Sequence, residues 1–383
     1  MLRNVKLKKF LVQNVFPVFS FINKYLPKKE NCILIYCAND NLSDNSETLY
    51  KYLVDNNYYE KYRIYCILKN YKNYTSPNKA RIKFVSQTFG TIKYLFSKYM
   101  FYSMGKIPIK PSKEQVIINM WHGIPLKSIG HLSQIDNGEE FFFTYVCASS
   151  ELFRPIMAAA FGCPEKNVCI CGEPKADRLF AQRKKDSTNK LILWTPTFRQ
   201  SKYLGYSDST ETNFLPLFEN NEWIKLNDML KKKGLKLVAK LHPGQDLNGF
   251  EEEILSNLEV YSSMAFEKEK GDLYEMLSLS DALITDYSSV YFNYLLLNRP
   301  IGFDLSDIKE YSDSRGFVFE NPLDYMPGEK LYSKEDLFKF LDDIAVGKNN
   351  YVEERKRVCN LVHQYQDGKN CERLLKIAGI TKE

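Results

Sequence analysis

Two of the four histidines in this chain of 383 residues occupy similar sequence settings. His122 follows the apolar run QVIINM and one tryptophan, and His242 follows KLVAK and one leucine. Both runs are typical of buried strands, and a glycine or proline comes directly after each histidine. An imidazole titrates near pH 6.5, so a histidine at a solvent-accessible strand end is suited to proton transfer.

The first of these histidines lies in the block WHGIPLKSIG, residues 121–130. Gly123 would let a ligand approach the backbone closely, and Lys127 adds a charge that suits an anionic substrate. The residues alone leave a structural and a catalytic histidine equally open here. His131 and His363 lack a strand-end setting, and we expect both to be structural or surface residues.

A third strand end carries the block TPTFRQ, residues 195–200, after the run KLILW. In open α/β sheets, ligands bind outside the carboxyl ends of the strands. Thr197 and Arg199 therefore become candidates for phosphate contacts, and a guanidinium can grip phosphate with two hydrogen bonds. A surface arginine after a proline turn is the alternative for Arg199.

A fourth strand end carries a cluster of hydroxyls, ITDYSSVYFN, where an apolar run turns directly into an amphipathic pattern. Asp286 or one of the following serines can cap a helix that starts near residue 288. The N–H groups and hydroxyls of Ser288 and Ser289 would also form an anion site. Asp286 would repel a phosphate, so we expect it to orient its neighbours. A helix cap without any ligand explains the same residues.

Several classes of site have no motif in the sequence. There is no GxxxxGK[ST] loop, no GxGxxG after the first predicted strand, and no HExxH or His/Cys cluster. We therefore expect no metal and no cofactor, and a diphosphate would be neutralised by histidine, lysine, arginine and helix N-termini. The nine cysteines include no CxxC pair, which favours a reducing compartment and buried thiols.

Alternating strands and helices must position these strand ends. Short apolar runs separated by helical patterns indicate parallel sheets covered on both faces, and the β-α-β order occurs twice. The sequence therefore predicts an α/β protein with two Rossmann-like, doubly wound domains. The predicted strands are 32–37, 63–68, 81–85, 115–120, 143–148, 168–171, 191–194, 236–240, 281–285 and 301–304, and the clearest helices are 47–55, 152–161, 223–233 and 272–279.

Four segments are predicted. Residues 1–29 form a basic amphipathic arm, residues 30–185 a first domain, residues 186–350 a second domain, and residues 351–383 C-terminal helices. The join between the two domains is placed in the polar stretch AQRKKDSTN, residues 181–189.

The net charge of +6 is concentrated in the arm, which carries seven basic residues and no acidic one. Its apolar stretch is too short and interrupted to span a bilayer, which needs about 20 apolar residues. A basic, aromatic, amphipathic arm fits an anionic membrane surface, and a first helix that covers the core is the alternative. The rest of the chain is nearly neutral, and we expect no nucleic-acid partner.

Together these blocks resemble the CDP-glycerol glycerophosphotransferase family of teichoic-acid synthesis. WHGIPLKSIG is similar to that family's WHGTPLKxxG block, with Ile124 in place of threonine, and GEPKADRLF to its G-x-P-R-x-D-x-L segment, with Lys175 in place of arginine. TPTFR, LHP and YQDGKNCERL also match in order. Residues 280–320 look like the family's longest signature, with Asn293 where an aspartate is usual.

The resemblance implies a GT-B-like fold, with the two domains facing across a cleft, and a phosphotransfer reaction. An acceptor hydroxyl would attack the β-phosphate of a CDP-alditol, and CMP would leave. His122, in the acceptor-side first domain, would be the general base, and His242 would stabilise the pyrophosphate or assist the leaving group. The predicted substrate- and phosphate-binding residues are Gly123, Lys127, Thr197, Arg199, Asp286, Tyr287, Ser288, Ser289 and Arg315.

The predicted partners are CDP-glycerol or another CDP-alditol, a lipid-linked saccharide or polymeric acceptor of teichoic acid or capsule, and an anionic membrane. The predicted location is peripheral, at the cytoplasmic face of the bacterial cell membrane. Glycerol and ribitol donors both remain open, as do single addition and polymerisation. Two other functions remain: a GT-B glycosyltransferase with a nucleotide-sugar donor, and a non-catalytic membrane-surface or polymer-binding protein.

Overall fold

The computed structural model describes residues 14–38, 40–105, 107–133, 140–181, 189–197, 200–201, 206–207, 213–218, 222–245 and 247–382. The chain divides into two compact units. The first unit comprises Met1–Gly123, Asn137–Asp177 and Asp367–Glu383, and the second comprises Ile124–Asp136 and Arg178–Gln366.

Sixteen strands lie within the described residues. They are β1 Lys29–Tyr36, β2 Arg63–Ile67, β3 Ile82–Val85, β4 Ser97–Tyr102, β5 Val116–Asn119, β6 Tyr145–Ala148, β7 Val168–Ile170, β8 Lys190–Thr195, β9 Gln200–Ser201, β10 Tyr206–Ser207, β11 Leu235–Lys240, β12 Glu253–Ile254, β13 Leu258–Tyr261, β14 Ala282–Thr285, β15 Ile301–Asp304 and β16 Glu329–Leu331.

The described α-helices follow the same chain order. They are α1 Phe16–Asn23, α2 Asp44–Asp55, α3 Gln87–Phe96, α4 Arg154–Phe161, α5 Trp223–Lys232, α6 Ser263–Glu269, α7 Leu273–Leu279, α8 Val290–Tyr294, α9 Ile308–Ser314, α10 Lys334–Val346, α11 Val352–Val362 and α12 Asn370–Ile377.

The first unit is built on a seven-stranded sheet in the order β3-β2-β1-β4-β5-β6-β7, and all its pairings are parallel. Successive residues of β1 enter opposite faces of the sheet. Ile33 and Ile35 join one buried cluster, and Cys32 and Leu34 join the other. Both faces are therefore covered, as the apolar strand sequences predict.

The second unit has a seven-stranded sheet in the order β12-β13-β11-β8-β14-β15-β16, with β12 as its single antiparallel member. Without β12, both sheets follow the Rossmann-type order 3-2-1-4-5-6, and the first sheet adds a seventh strand. The prediction of two Rossmann-like domains is confirmed. The strand order reverses between β1 and β4 in the first sheet and between β8 and β14 in the second.

The structure adds six strands to the predicted ones, β4, β9, β10, β12, β13 and β16, and two of them have a clear local cause. β4 follows α3 without a glycine or proline between them, so no turn residue marks where the helix ends and the strand begins. β13 contains a buried acid, Glu259, which interrupts its apolar pattern. That carboxylate pairs with Lys236 at 2.6 Å and with Lys270 at 2.5 Å.

The unit boundaries differ from the predicted ones. Residues 124–136 belong to the second unit, although they lie inside the predicted first domain, and the second unit resumes at Arg178. The predicted C-terminal segment is divided as well, because α11 belongs to the second unit and α12 to the first.

The predicted arm is described from residue 14 onwards, and α1 belongs to the first unit. The buried Asn23 side chain donates to the Lys110 carbonyl at 3.0 Å and to Gln115 Oε1 at 2.7 Å. One side of α1 therefore covers the core, as the alternative reading of the arm predicted. Within the described residues, no helix has the length and apolar character needed to cross a membrane.

Candidate active site

In the first unit, His122 lies on a turn that begins where β5 ends. Trp121, just before it, has a φ of +54°, in the left-handed region. That conformation costs a bulky residue about 1–3 kcal/mol. The Asn119 side chain accepts the Trp121 N–H at 3.0 Å. The indole lies over the His122 ring, with centroids 3.9 Å apart, and meets Phe161 edge-on at 4.8 Å.

The half-buried His122 ring is oriented by a backbone carbonyl. Its Nδ1 lies 3.3 Å from the carbonyl oxygen of Ser103, which follows β4. A carbonyl can only accept, so this contact favours the tautomer with its proton on Nδ1. Nε2 is then left to accept a proton, as a general base must.

A polar cluster lies beneath this turn, beside the point where the strand order reverses. Asn45, at the start of α2, donates to the Trp121 carbonyl at 2.9 Å and accepts the Lys175 N–H at 3.0 Å. The buried Lys175 ammonium donates to the His122 carbonyl at 2.9 Å and lies 2.9 Å from Asp44 Oδ1. Asn45 and Asp44 are not among the residues predicted for the site, although they begin the helix that follows the first strand.

In the second unit, His242 is held in the opposite tautomer. Its Nδ1 accepts the backbone N–H of Gly244 at 2.9 Å. The proton of the neutral ring therefore lies on Nε2, which becomes a hydrogen-bond donor. Lys240 is the last residue of β11, and it was predicted as part of that strand and not as a site residue. Its ammonium donates to Ser263 Oγ at 2.8 Å, and burial lowers its pKa.

Asp286 joins the ends of β8 and β14, where the strand order of the second sheet reverses. Its Oδ2 accepts the N–H of Thr197 at 2.8 Å and the Thr197 hydroxyl at 3.0 Å. Its Oδ1 accepts the N–H of Ser288 at 3.2 Å. Asp286 therefore orients the backbone on both sides of the strand ends, and Thr197 turns its hydroxyl towards Asp286.

Ser288 and Ser289 are half-buried between β14 and α8. Ser289 is the N-cap residue of α8, but its side chain makes no capping hydrogen bond. Within the described residues, neither serine hydroxyl has a protein hydrogen-bond partner. The α-helical part of α8 is five residues long, so any anion contact here rests on hydroxyls and local N–H groups more than on a helix dipole.

Two other residues of this segment are directed into the interior. Tyr287 is fully buried, packs on Tyr311 with centroids 4.3 Å apart, and donates its hydroxyl to Asp307 at 3.0 Å. Asn293 is also buried, and its amide donates to the Tyr274 hydroxyl at 2.9 Å. Tyr287 is therefore a supporting residue in this geometry, and the departure from the family pattern at Asn293 lies in the core.

The remaining predicted residues are distributed over both units. Gly123 is buried at the last position of the first unit's leading segment. Lys127 forms an isolated antiparallel β-bridge with Phe317, two residues after Arg315, the C-cap residue of α9. Lys127 and Arg315 both lie in the second unit. Arg199 lies outside the described residues.

The GEPKAD segment anchors the C-terminal helix to the first unit. Asp177 accepts the backbone N–H groups of Asn370 at 2.9 Å and Cys371 at 2.8 Å, and burial raises its pKa to about 6. Gly172 has a φ of +79°, and a Cβ atom there would lie 2.4 Å from the Asn370 side chain. These two blocks of the sequence therefore have a structural role in the first unit.

One group of thiols has side chains close enough to hold a metal within the part of the chain that the structure describes. The Sγ atoms of Cys147, Cys169 and Cys171 lie within 4.8 Å of one another, on β6 and β7 and just beyond. Cys169 donates to Cys147 across 3.8 Å, and Cys171 belongs to the core cluster of that face. Cys147 and Cys171 are buried and Cys169 is half-buried, in line with the buried thiols expected from the sequence.

The family model for CDP-glycerol:poly(glycerophosphate) glycerophosphotransferase matches residues 18–378. The chain belongs to this family. Membership confirms the resemblance seen in the sequence blocks and the predicted reaction class, a phosphotransferase. It also places all the predicted site residues inside the matched region.

Curated relatives support the same family. The teichoic acid ribitol-phosphate polymerase TarK of Staphylococcus aureus is 26% identical over 96% of this chain and 72% of its own length. The teichoic acid glycerol-phosphate primase of Bacillus subtilis is 30% identical over 61% of this chain and 56% of its own. The teichoic acid glycerol-phosphate transferase of S. aureus is 22% identical over 98% of this chain and its whole length.

A solved structure has the same fold. The wall teichoic acid polymerase TagF superposes with a TM-score of 0.72 at 21% identity, covering 98% of this chain and 96% of that one. The two-domain fold of this glycerophosphotransferase family member is therefore shared with a polymerase of teichoic-acid synthesis.

Proposed function

We propose that this protein transfers glycerol phosphate, or a related alditol phosphate, from a CDP-alditol to a hydroxyl of a lipid-linked or polymeric acceptor, and releases CMP. The pathway is the synthesis of teichoic acid or capsule. Family membership supports the reaction class. Relatives named for glycerol phosphate and for ribitol phosphate support an alditol phosphate as the transferred group.

The opposite tautomers of the two strand-end histidines are the observation that carries this proposal. In the neutral rings, the backbone contact of His122 favours an Nε2 that accepts a proton, and that of His242 favours an Nε2–H group that donates one. Phosphoryl transfer needs one group that accepts the proton of the attacking hydroxyl and another that stabilises charge on phosphate oxygen. The backbone contacts of the two rings favour these two different tasks.

In the proposed mechanism, the acceptor oxygen forms a bond to the β-phosphorus of the CDP-alditol while its proton passes to His122 Nε2. The bond between the β-phosphorus and the bridging oxygen breaks, and the electron pair leaves with CMP. His242 donates its Nε2–H to a phosphate oxygen and offsets the developing charge. The hydroxyls of Ser288 and Ser289 donate to the donor's phosphates, and Asp286 fixes the backbone that carries them.

Cations contribute charge neutralisation in this proposal. Lys127, Arg199 and Arg315 are assigned to phosphate contacts, and Gly123 to close approach of a ligand to the backbone. Thr197 and Tyr287 act in support, through Asp286 and Asp307. Placement and charge stabilisation supply most of the catalysis in phosphoryl transfer.

A donor panel tests the function. Purified protein with a lipid-linked acceptor would be supplied in turn with CDP-glycerol, CDP-ribitol and nucleotide sugars, and the released nucleotide and product length would be measured. We expect CMP release from a CDP-alditol and extension of the acceptor. Turnover of nucleotide sugars alone would assign the chain to the glycosyltransferase alternative, and no turnover of any donor would favour a binding protein.

We also propose peripheral attachment to the cytoplasmic face of the cell membrane. On α1, Val18 and Phe21 are exposed, and so is Tyr25, two residues after the helix ends. On α3, Phe89 and Ile92 are also exposed. Exposed apolar side chains beside a basic segment fit an anionic bilayer surface, where they enter the interface and the lysines meet lipid headgroups.

A further inference from the structure

The backbone turn that presents His122 is held by contacts far away in sequence. A bulky residue such as Trp121 keeps a φ of +54° only where its surroundings hold it there. Its N–H is bonded by Asn119, its carbonyl by Asn45, and the next carbonyl, of His122, by Lys175. Two of these three contacts come from segments outside the strand and its turn.

The Lys175 ammonium is too buried to serve solubility. It is 6% exposed, and it lies 2.9 Å from Asp44 Oδ1 and 3.6 Å from Glu173 Oε1. Burying a charge is costly unless opposite charges and hydrogen bonds compensate it. The two carboxylates provide this compensation, and the His122 carbonyl, 2.9 Å away, takes one of the ammonium's donors.

The contacts of Lys175 and Asn45 with the backbone of Trp121 and His122 form a clamp on the His122 turn. Asn45 connects the Lys175 side of this clamp with the Trp121 side. Its Nδ2 donates to the Trp121 carbonyl, and its Oδ1 accepts the N–H of Lys175. It is fully buried in the first turn of α2, directly after Asp44, the ion-pair partner of Lys175. One short segment at the end of β1 therefore holds both Lys175 and the His122 turn.

We propose that Lys175 and Asn45 are positioning residues for the general base. They donate hydrogen bonds to the backbone carbonyls of Trp121 and His122, and through the backbone they fix the position and orientation of the imidazole. This inference rests on the proposed role of His122. The Lys175 position takes arginine in the family pattern that the sequence resembles, and a guanidinium can also donate to a carbonyl while paired with a carboxylate.

Loss of the clamp would let Trp121 relax out of the left-handed region and move the imidazole. A displacement of about 1 Å of a reacting group can cost about a hundredfold in rate. The phosphate contacts of the CDP-alditol are assigned to the second unit. The change should therefore appear in kcat, and KM for the donor should stay close to its wild-type value.

The experiment compares four variants by steady-state CMP release in the presence of acceptor. Lys175→Met should lower kcat by about 10- to 100-fold, and Lys175→Arg should recover most of that loss. Asn45→Asp, which keeps the acceptor for Lys175 but removes the donor to Trp121, should also lower kcat. Lys330→Met is the matched control, since that ammonium also binds two backbone carbonyls, at 2.6 and 2.8 Å. It should leave kcat unchanged.

A double-mutant cycle separates positioning from general stabilisation. In a His122→Ala background, Lys175→Met should cause no further loss of kcat, because it acts through the missing imidazole. An equal fold loss in both backgrounds would overturn the proposal. Wild-type kcat in a folded Lys175→Met or Asn45→Asp protein would overturn it too.

A readout without turnover keeps this inference separate from the proposed function. The His122 ring resonance, identified by its absence in His122→Ala, should shift in Lys175→Met and return towards its wild-type position in Lys175→Arg. An unmoved resonance would refute the clamp even if the enzyme turns over CDP-glycerol. A shifted resonance in a protein that releases no CMP from any CDP-alditol would retain the clamp and reject the function.

Discussion

The hydrogen bonds around Ser288 and Ser289 distinguish a helix cap from an anion site. From sequence, either explained the ITDYSS cluster. In the structure, the Asp286 carboxylate accepts the N–H group of Ser288, and the Ser289 side chain caps nothing. Asp286 therefore holds the backbone just before the helix, and within the described residues neither serine hydroxyl has a protein hydrogen-bond partner.

Removing one of these hydroxyls should weaken donor use. A hydrogen bond to a charged group contributes about 1.5–3 kcal/mol. Ser288→Ala and Ser289→Ala should therefore each lower kcat/KM for the CDP-alditol by about 10- to 100-fold, while the proteins stay folded. Initial rates of CMP release over a range of donor concentrations measure this.

Ser280→Ala is the matched control for these variants. The Ser280 hydroxyl is fully buried in the same unit, where it donates to the Leu277 carbonyl and meets the Tyr294 hydroxyl at 2.9 Å. This substitution should lower stability and leave kcat/KM of the folded protein alone. Normal kcat/KM in both Ser288→Ala and Ser289→Ala would remove these serines from the site.

The sequence could place residues at strand ends, but it could not show which way their side chains point. His122, His242 and Asp286 follow strands whose apolar patterns were clear, and their positions were predicted correctly. Tyr287 lies in a turn, where strand periodicity no longer tells inside from outside, and it proves to be buried. Lys175 meets His122 from 53 residues away, and no local pattern encodes that contact.

At the scale of elements, a hydrogen bond joins the end of α11 to the backbone of α8. His363, the C-cap residue of α11, is buried and donates Nε2–H to the Phe292 carbonyl at 2.7 Å. Burial lowers its pKa to about 4. This confirms the expectation that His363 is structural, and it links the segment that carries the serines to the C-terminal part of the second unit.

The lowered pKa of His363 predicts an acid-sensitive second unit. The unfolded chain takes up this proton near pH 6.5 and the folded one only near pH 4, so stability falls as pH drops through that window. The contribution lost is about 3 kcal/mol. Denaturant unfolding of wild type and His363→Gln, which keeps an N–H donor, should show a shallower pH dependence in the variant between pH 4 and 6.5.

His131→Gln supplies the control for this slope. His131 is exposed in a short 3-10 turn, and its replacement measures how far the loss of a histidine elsewhere in the chain alters the slope. Equal slopes for wild type and His363→Gln would show that His363 takes up its proton as readily in the folded chain as in the unfolded one.

At the scale of the whole molecule, the chain passes between its two units four times. The prediction placed a single crossing between the domains, at a polar stretch. A polar composition can indicate a linker, but it gives no sign that the chain later returns to the first unit. Residues 124–136 are held in the second unit by bonds such as Ser128 N–H to the Gly316 carbonyl, at 3.1 Å. The return of α12 to the first unit depends on Asp177, 193 residues before Asn370.

The exposed side of α1 predicts membrane association of the whole protein. The double variant Phe21→Ser/Tyr25→Ser should sediment less with vesicles that contain anionic lipid, because apolar area that enters the interface is lost. Turnover of a soluble acceptor should be spared. Deletion of residues 1–26 should have the same effect on sedimentation.

Ile224→Ser/Val346→Ser serves as the control, since these side chains are 66% and 73% exposed in the second unit. Their loss should leave sedimentation unchanged. Wild-type sedimentation of both the Phe21→Ser/Tyr25→Ser variant and the 1–26 deletion would refute the assignment of this surface to the membrane.

CMP release from CDP-glycerol and CDP-ribitol, with a lipid-linked acceptor, by wild type and by His122→Asn tests the central claim most directly. General-base catalysis contributes about 10²–10⁴-fold. Wild type should release CMP from one of these donors and extend the acceptor, and folded His122→Asn should lose about that factor in kcat. A His122→Asn protein with wild-type kcat, or a wild type that leaves both CDP-alditols intact, would contradict the account.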